Sequence, residues 1–187
     1  MKYIHEIEDA NPRRVSGGSS SAAQPRTRWL PPLKGTTKIR VDGAVSRDGN
    51  FGSFSVICRN SSGVFLGASA IKIHGVSDPT TQEALACREA LALAADLDLH
   101  RILIASDYQR VVNDINNVTG GVYASISREI KDTSDSFDSC TFIFEGRTTN
   151  IESHSLAKHA FDLDFGHHVW LLNPPNITCI PLNIYEF

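Results

Sequence analysis

The sequence lacks the features that would commit it to a membrane, to an oxidising compartment, or to a polyanion by charge alone. No apolar run approaches the ~20 residues needed to span a bilayer. The first ten residues carry Glu6, Glu8 and Asp9 and no apolar signal-peptide core, so an intracellular, non-secreted protein without a membrane partner is expected. The four cysteines (Cys58, Cys87, Cys140 and Cys179) are far apart and form no Cys-x-x-Cys pair, which excludes a disulfide framework or a cysteine zinc site and reads as reduced thiols. A basic excess is missing too: 18 Lys+Arg stand against 21 Asp+Glu. Residues 34–165 hold 13 basic against 17 acidic side chains, a poor footprint for strong unassisted nucleic-acid binding but compatible with an acidic pocket that holds cations. His74, His100, His159, His167 and His168 show no ligand spacing and read as surface positions; the adjacent pair His167-His168 is the weakest metal candidate. No internal repeat is present, and 187 residues fit one domain with extensions, expected to be a monomer.

What is there divides into three parts. Residues 1–28, rich in Ser, Gly, Pro and Arg, read as a flexible N-terminal linker. Residues 29–165 read as the folded domain, entered through an extended Trp29-Leu30-Pro31-Pro32 segment that pins the linker to its edge, and 166–187 as a tail packing on or extending it. Strand-like runs at about 37–46, 52–59 and 64–73 are separated by the turn signals Asp48-Gly49-Asn50 and Asn60-Ser61-Ser62-Gly63, which makes an antiparallel meander. The period then changes. Thr80 to Leu97 is Ala- and Leu-rich and reads as a helix, with Asp78 as its N-cap and Pro79 at its first position. Arg101 to Ser106 is a short apolar strand of the kind buried on both faces, and its short link to that helix implies a parallel crossover. Helical spacing returns at 108–117, 123–132 and 150–161, with one more strand at 140–144. The order β-β-β-α-β-α-α-β-α predicts an α/β fold in three layers: a mixed five-stranded sheet ordered 3-2-1-4-5, with helices on its faces.

Three acids stand out against this frame. Asp42 lies inside the first β-run, where a carboxylate needs a partner or a metal. Asp107 lies at the carboxyl end of the buried parallel strand, where ligands of such sheets gather, and Glu83 lies early in the crossover helix. Each has a plain alternative: Asp42-Gly43 as a hairpin turn, Glu83 as the acid of a Thr80-x-x-Glu83 capping box, Asp107 as a helix N-cap. Three carboxylates brought together repel unless a cation sits among them; hard oxygens suit Mg²⁺ or Mn²⁺, and a carboxylate-held metal pair suits in-line phosphoryl transfer.

Four motifs in this order carry a resemblance: Val41-Asp42-Gly43-Ala44, Gln82-Glu83-Ala84-x-Ala86, Ala105-Ser106-Asp107-x-Gln109, and Arg147-x-x-Asn150-x-x-Ser153-His154-x-Leu156-Ala157-Lys158. In order and spacing they resemble type 1 ribonuclease H domains, most of all the plant reverse-transcriptase-like domains related to retrotransposons, over about residues 29–185. The resemblance implies a ribonuclease H-like fold and a divalent-metal-dependent endonuclease that cleaves the RNA strand of RNA–DNA hybrids. It implies Asp42, Glu83 and Asp107 as metal-binding catalytic acids, with His154 as the fourth catalytic position. It also implies Gly43, Thr80, Gln109, Arg147 and Asn150 near the nucleic acid. Two positions depart from the wider family. His154 stands where active members carry a fourth acid, as it often does in the plant subgroup, and imidazole is a poor Mg²⁺ ligand. The short segment from Phe144 to Thr149 carries no histidine of the kind thought to aid product release; its Arg147 could contact phosphate or pair with Glu145. Glu152, two residues before His154, should face elsewhere on the helix. An active hybrid nuclease is therefore weighed against a nucleic-acid-binding or interaction module of retroelement origin that has lost turnover.

Overall fold

The computed structural model describes residues 30–117 and 122–175. The linker reading for residues 1–28, Cys179 and the last part of the tail lie outside the described residues. Three strands open the fold: β1 (Thr37–Val45), β2 (Phe51–Arg59) and β3 (Phe65–His74). The first turn is closed by Asp48, whose carboxylate accepts from Ser46 Oγ (2.6 Å), Asn50 N–H (3.2 Å) and Asn50 Nδ2 (2.6 Å). This is the local side-chain chemistry that makes Asp a turn residue. Helix α1 (Pro79–Asp96) crosses to β4 (Arg101–Ser106), which runs parallel to β1. Then come α2 (Gln109–Asn117), α3 (Ala124–Ser134), β5 (Ser139–Phe144) and α4 (Ile151–His159), flanked by 3₁₀ turns at Arg147–Thr149 and Ala160–Asp162.

The sheet order is β5-β4-β1-β2-β3-β6, so the expected five strands stand in the expected neighbour order. The addition is β6 (Gly166–Trp170), which pairs antiparallel with β3 from Lys72↔Gly166 to Ala68↔Trp170. The tail thus begins as a sixth, edge strand. Its Gly-His-His-Val-Trp sequence has no apolar alternation to announce it, because an edge strand is held largely by its backbone ladder.

Strand alternation sends the two faces of the sheet to different helices. Ile39, Val41, Phe54, Val56 and Cys58 join Ala84, Ala86, Cys87, Ala90, Leu91 and Ala94 of α1, with Val111, Ile115 and Ile130 of α2 and α3, in the main core. The small residues of α1 let that helix lie close to β1. Each fully buried aliphatic side chain here contributes ~1.5–3 kcal/mol relative to exposure.

The opposite face is built differently. Ile57, Ala68, Ala70, Leu156 and Ala160 form a small apolar cluster under α4. The rest of that contact is polar. Ser53 Oγ donates to Ala157 O (2.6 Å), Ser55 Oγ donates to Ser153 O (2.7 Å), and Asn150 Nδ2 donates to Val41 O (2.8 Å). Glu152, 3 % exposed, takes Arg59 through Nη2 (2.8 Å) and Nε (3.2 Å), with Arg40 Nη1 at 3.5 Å. Glu152 therefore faces the sheet and away from the acid cluster, as its offset from His154 requires. Lys38, buried beside this layer, donates to Leu30 O (2.9 Å) and pairs with Glu145, which ties the entering Leu30–Leu33 segment to β1. Among the described residues no helix is long and apolar enough to cross a membrane.

Candidate metal centre

Asp42 sits within β1, opposite Ser55 of β2, so the hairpin-turn alternative does not hold. The parallel β1–β4 ladder ends at Arg40↔Ala105; two residues on stand Asp42, still within β1, and Asp107, the first residue past β4. The register alone therefore brings the two carboxylates level at the end of the sheet.

Glu83 arrives from the side. Asp78, not Thr80, caps α1: its Oδ2 accepts from Thr81 N–H (2.8 Å) and Thr81 Oγ1 (2.6 Å). That leaves Glu83 free of a capping box. Its Oε2 accepts from Gly43 N–H (2.9 Å) and its Oε1 from Ser106 Oγ (2.5 Å). Gly43 makes the approach possible, since a Cβ there would stand 2.8 Å from Gln82 Cβ and 2.9 Å from Glu83 N. At the start of α2 it is Ser106 Oγ that accepts from Tyr108 N–H (3.0 Å), while Asp107 Oδ2 faces Arg147 Nε at 3.3 Å. The N-cap alternative for Asp107 is displaced by its serine neighbour.

One oxygen from each of Asp42, Glu83 and Asp107 lies within 4.8 Å of the others, the only such His/Cys/Asp/Glu grouping among the described residues. Burial, followed by the charge of Asp107, pushes the Asp42 carboxyl up to about 8; Arg147 and Lys158 pull it partly back. Burial, followed by the charge of Asp42, pushes Glu83 up to about 8 against the hydrogen bonds from Ser106 and Gly43. Both acids stay this far above the carboxylate range because the nearby cations and hydrogen bonds do not offset their burial and mutual charge. The donor set is all oxygen, from hard carboxylates, and fits a hard divalent cation.

His154 closes the cluster on the α4 side, with Nδ1 2.9 Å from Asp42 Oδ2. Burial, then the Lys158 ammonium, lowers its pKa, so the neutral imidazole is favoured beside Asp42. Arg147 is 85 % exposed at the rim. Of the two partners weighed for it, Glu145 is the wrong one: Glu145 pairs with Lys38, and Arg147 with Asp107. Thr80 Oγ1 lies 3.3 Å from Tyr108 OH beside the cluster, and Gln109 is exposed at the head of α2. Asn150 departs from the expectation of a substrate contact. It is 2 % exposed, its Nδ2 bonds Val41 O and its Oδ1 takes Ser153 Oγ, so its side chain fixes α4 beneath the site. His167 and His168, read as surface positions, meet protein groups: His167 lies 3.0 Å from Glu89 and His168 2.9 Å from Asp164 O. Ser106 and Lys158 stand in the quoted motifs without an assigned role, and Tyr108 joins the site unannounced. Lys158 had a readable signal, four residues after His154 and hence on its helical face.

The profile of the reverse transcriptase-like family matches residues 40–160, which span the whole acid cluster and α4. The chain belongs to that family. Among solved structures, this member of the family is similar to RNase H1 from the halophilic archaeon Halobacterium salinarum NRC-1, at 20 % identity and a TM-score of 0.60, over 68 % of this chain and 98 % of that one. It is similar to the N-terminal RNase H domain of a Mycobacterium tuberculosis protein, at 17 % identity and a TM-score of 0.62, over 68 % and 94 % of the two chains. It is also similar to LC11-RNase H1, solved in complex with an RNA/DNA hybrid, at 18 % identity and a TM-score of 0.60, over 67 % and 96 %. At these identities the likeness is one of fold, and the fold is that of RNase H. No curated protein matches the chain in sequence.

Proposed function

We propose that the chain is a divalent-metal-dependent endonuclease that cleaves the RNA strand of RNA–DNA hybrids. The observation that carries this reading is the convergence of Asp42, Glu83 and Asp107, with ligand atoms within 4.8 Å of one another and two of the acids pushed up to about 8. The three carboxylates would hold Mg²⁺ or Mn²⁺. Such ions, when bound, supply activation of water and stabilisation of the leaving oxygen in an in-line displacement.

The chain's own residues have separable tasks. Gly43 N–H and Ser106 Oγ orient Glu83, so its carboxylate is fixed before any cation arrives. The exposed guanidinium of Arg147 is placed to exchange Asp107 for a phosphate oxygen, as bidentate Arg–phosphate chemistry favours. Neutral His154 can hold a proton at Nδ1 toward Asp42, keeping that carboxylate's outer oxygen directed. Thr80, Tyr108 and Gln109 line the approach on the α1–α2 side and would meet the strand's sugars and phosphates.

A second reading has its own support: a hybrid-binding module with weakened turnover. His154, bonded to Asp42 where a fourth carboxylate would strengthen the cation site, favours it. The discriminating experiment is cleavage of a labelled hybrid by purified protein in Mg²⁺ and in Mn²⁺, with Asp42→Asn as control. Metal-dependent cleavage lost in the variant supports the nuclease. Hybrid binding without cleavage in either metal overturns it in favour of the module.

A further inference from the structure

The segment between β5 and α4 is tied down on both sides of the acid cluster. Glu145 N–H donates to Ser106 O (2.9 Å), one residue before Asp107. Asn150 Nδ2 donates to Val41 O (2.8 Å), one residue before Asp42. Between these two anchors lies a single 3₁₀ turn, Arg147–Thr149, closed by Thr149 N–H to Gly146 O (2.9 Å) and Asn150 N–H to Arg147 O (3.1 Å). The main chain of Arg147 is therefore fixed relative to both aspartates.

Its side chain is held far less. Arg147 is 85 % exposed, and its ion pair with Asp107, Nε to Oδ2 at 3.3 Å, is the one it makes among the described residues. Asp107 itself is buried, its side chain 6 % exposed. A long, exposed cation on a fixed pivot thus lies over a buried carboxylate. Carboxylates gathered this closely favour any positive charge within reach. Against burial and the charge of Asp107, Arg147 is the strongest group pulling the Asp42 carboxyl back down, ahead of Lys158. Asp107 also contributes an oxygen to the trio that fits a hard divalent cation. Two cations drawn to one carboxylate repel each other, so each weakens the other's hold.

We propose that Arg147 is the resident counter-cation of the acid cluster, competing with a divalent cation for Asp107 and released from it when that cation binds. The proposal rests on the hybrid-nuclease reading for what the released guanidinium then meets, a strand phosphate; the competition itself needs only the acids and Arg147. It makes cation and strand mutually supportive. A cation at the acids frees Arg147 for the strand, and a phosphate that takes Arg147 opens Asp107 to the cation, with equal coupling in both directions.

The test uses the full chain, stripped of metal, in two arms. The Arg147 Nε–H resonance is followed by ¹⁵N NMR as Mg²⁺ is added, identified by its loss in Arg147→Gln. Arg47, exposed in the β1–β2 turn, is the reference for a free arginine. Mn²⁺ affinity is then measured by calorimetry for wild type, Arg147→Gln and Lys158→Gln. Lys158 bears on Asp42 without pairing with Asp107, so its variant controls for the loss of one positive charge. The expected result is an Arg147 resonance set apart from that of Arg47 without metal and moving to it at saturating Mg²⁺. Arg147→Gln should bind Mn²⁺ about two- to fivefold more tightly than wild type, the scale of an ion pair with one exposed partner, and Lys158→Gln should gain less. Metal binding with an Arg147 resonance that does not move, or that already matches Arg47 without metal, overturns the competition and leaves the nuclease reading standing. Equal gains in the two variants do the same, since they reduce Arg147 to general charge. A wild type that binds neither metal overturns the nuclease reading and the competition together.

Discussion

Gly43→Ala is the sharpest perturbation available, because its clash is with backbone and names its own victim. The added Cβ would stand 2.8 Å from Gln82 Cβ, 2.9 Å from the Gln82 carbonyl carbon and 2.9 Å from Glu83 N. Comfortable carbon contacts lie at ~3.5–4.0 Å, and no rotamer change relieves a clash with a Cβ or with main chain. The first turns of α1 must therefore retreat from β1 by roughly 0.5–1 Å, a distance set by the gap between those contacts and ordinary ones. Overpacking of this kind costs ~1–3 kcal/mol, or roughly 2–12 °C in Tm for a chain of this size. The retreat also carries Glu83 away from Gly43 N–H and Ser106, and a displacement of ~1 Å at a reacting site costs about 10²-fold in rate. The control is Gly35→Ala: Gly35 has φ +82° and open space around it, so alanine there strains the backbone by ~1–2 kcal/mol and leaves the acids in place. Thermal unfolding and hybrid cleavage, measured on both variants, should show comparable losses of stability but a large loss of activity and of Mg²⁺ affinity in Gly43→Ala alone. A Gly43→Ala protein with wild-type Mg²⁺ affinity would refute the placement of Glu83.

Three further outcomes follow from the same geometry. Asp42 and Glu83 have folded pKa values raised to about 8, so the stability they lend the metal-free protein is full below pH ~4 and is lost as pH rises through about 8. A tenfold change in proton affinity is worth ~1.4 kcal/mol, so Asp42→Asn should stabilise the protein in EDTA at pH 8 by on the order of 2–4 kcal/mol in urea unfolding. His154 acts with the opposite sign, as pH falls below its ordinary range, so measuring at pH 8 keeps its titration out of the comparison. Glu152→Ala leaves Arg40 and Arg59 without their shared carboxylate and should cost ~3–5 kcal/mol, seen as a Tm lower by roughly 10 °C, with α4 amides exchanging faster. His154→Asp puts a hard oxygen beside Asp42 and should raise the Mg²⁺-supported cleavage rate, while making the metal-free protein still less stable above neutral pH.

The sequence carried the main core and the acid cluster in different ways. The meander, the crossover helix and its Asp78 cap were legible because each obeys local chemistry: alternation, turn residues, an N-cap followed by proline. The trio was legible as a pattern of motifs, yet each acid taken singly passed as a turn or a cap. Only the parallel register of β1 with β4 and the close approach at Gly43 decide between those uses, and both are tertiary facts. The layer under α4 was not legible. Ser53 and Ser55 are buried because they donate to carbonyls of α4, and Arg40 and Arg59 because they share Glu152, in each case with a partner more than 90 positions away. For the same reason Asn150 reads as a surface contact and is a buried strut. The β6 strand escaped because edge pairing to β3 needs little from its side chains.

The central claim is that Asp42, Glu83 and Asp107 form one cation site. Calorimetric titration of Mn²⁺ into the metal-stripped full chain at pH 7.5, repeated with Asp42→Asn, Glu83→Gln and Asp107→Asn, tests it most directly. The prediction is binding by the wild type, with proton release as Asp42 and Glu83 ionise, and strong weakening in each of the three variants. A wild type that binds no Mn²⁺, or variants that bind it as well as wild type does, would contradict the account.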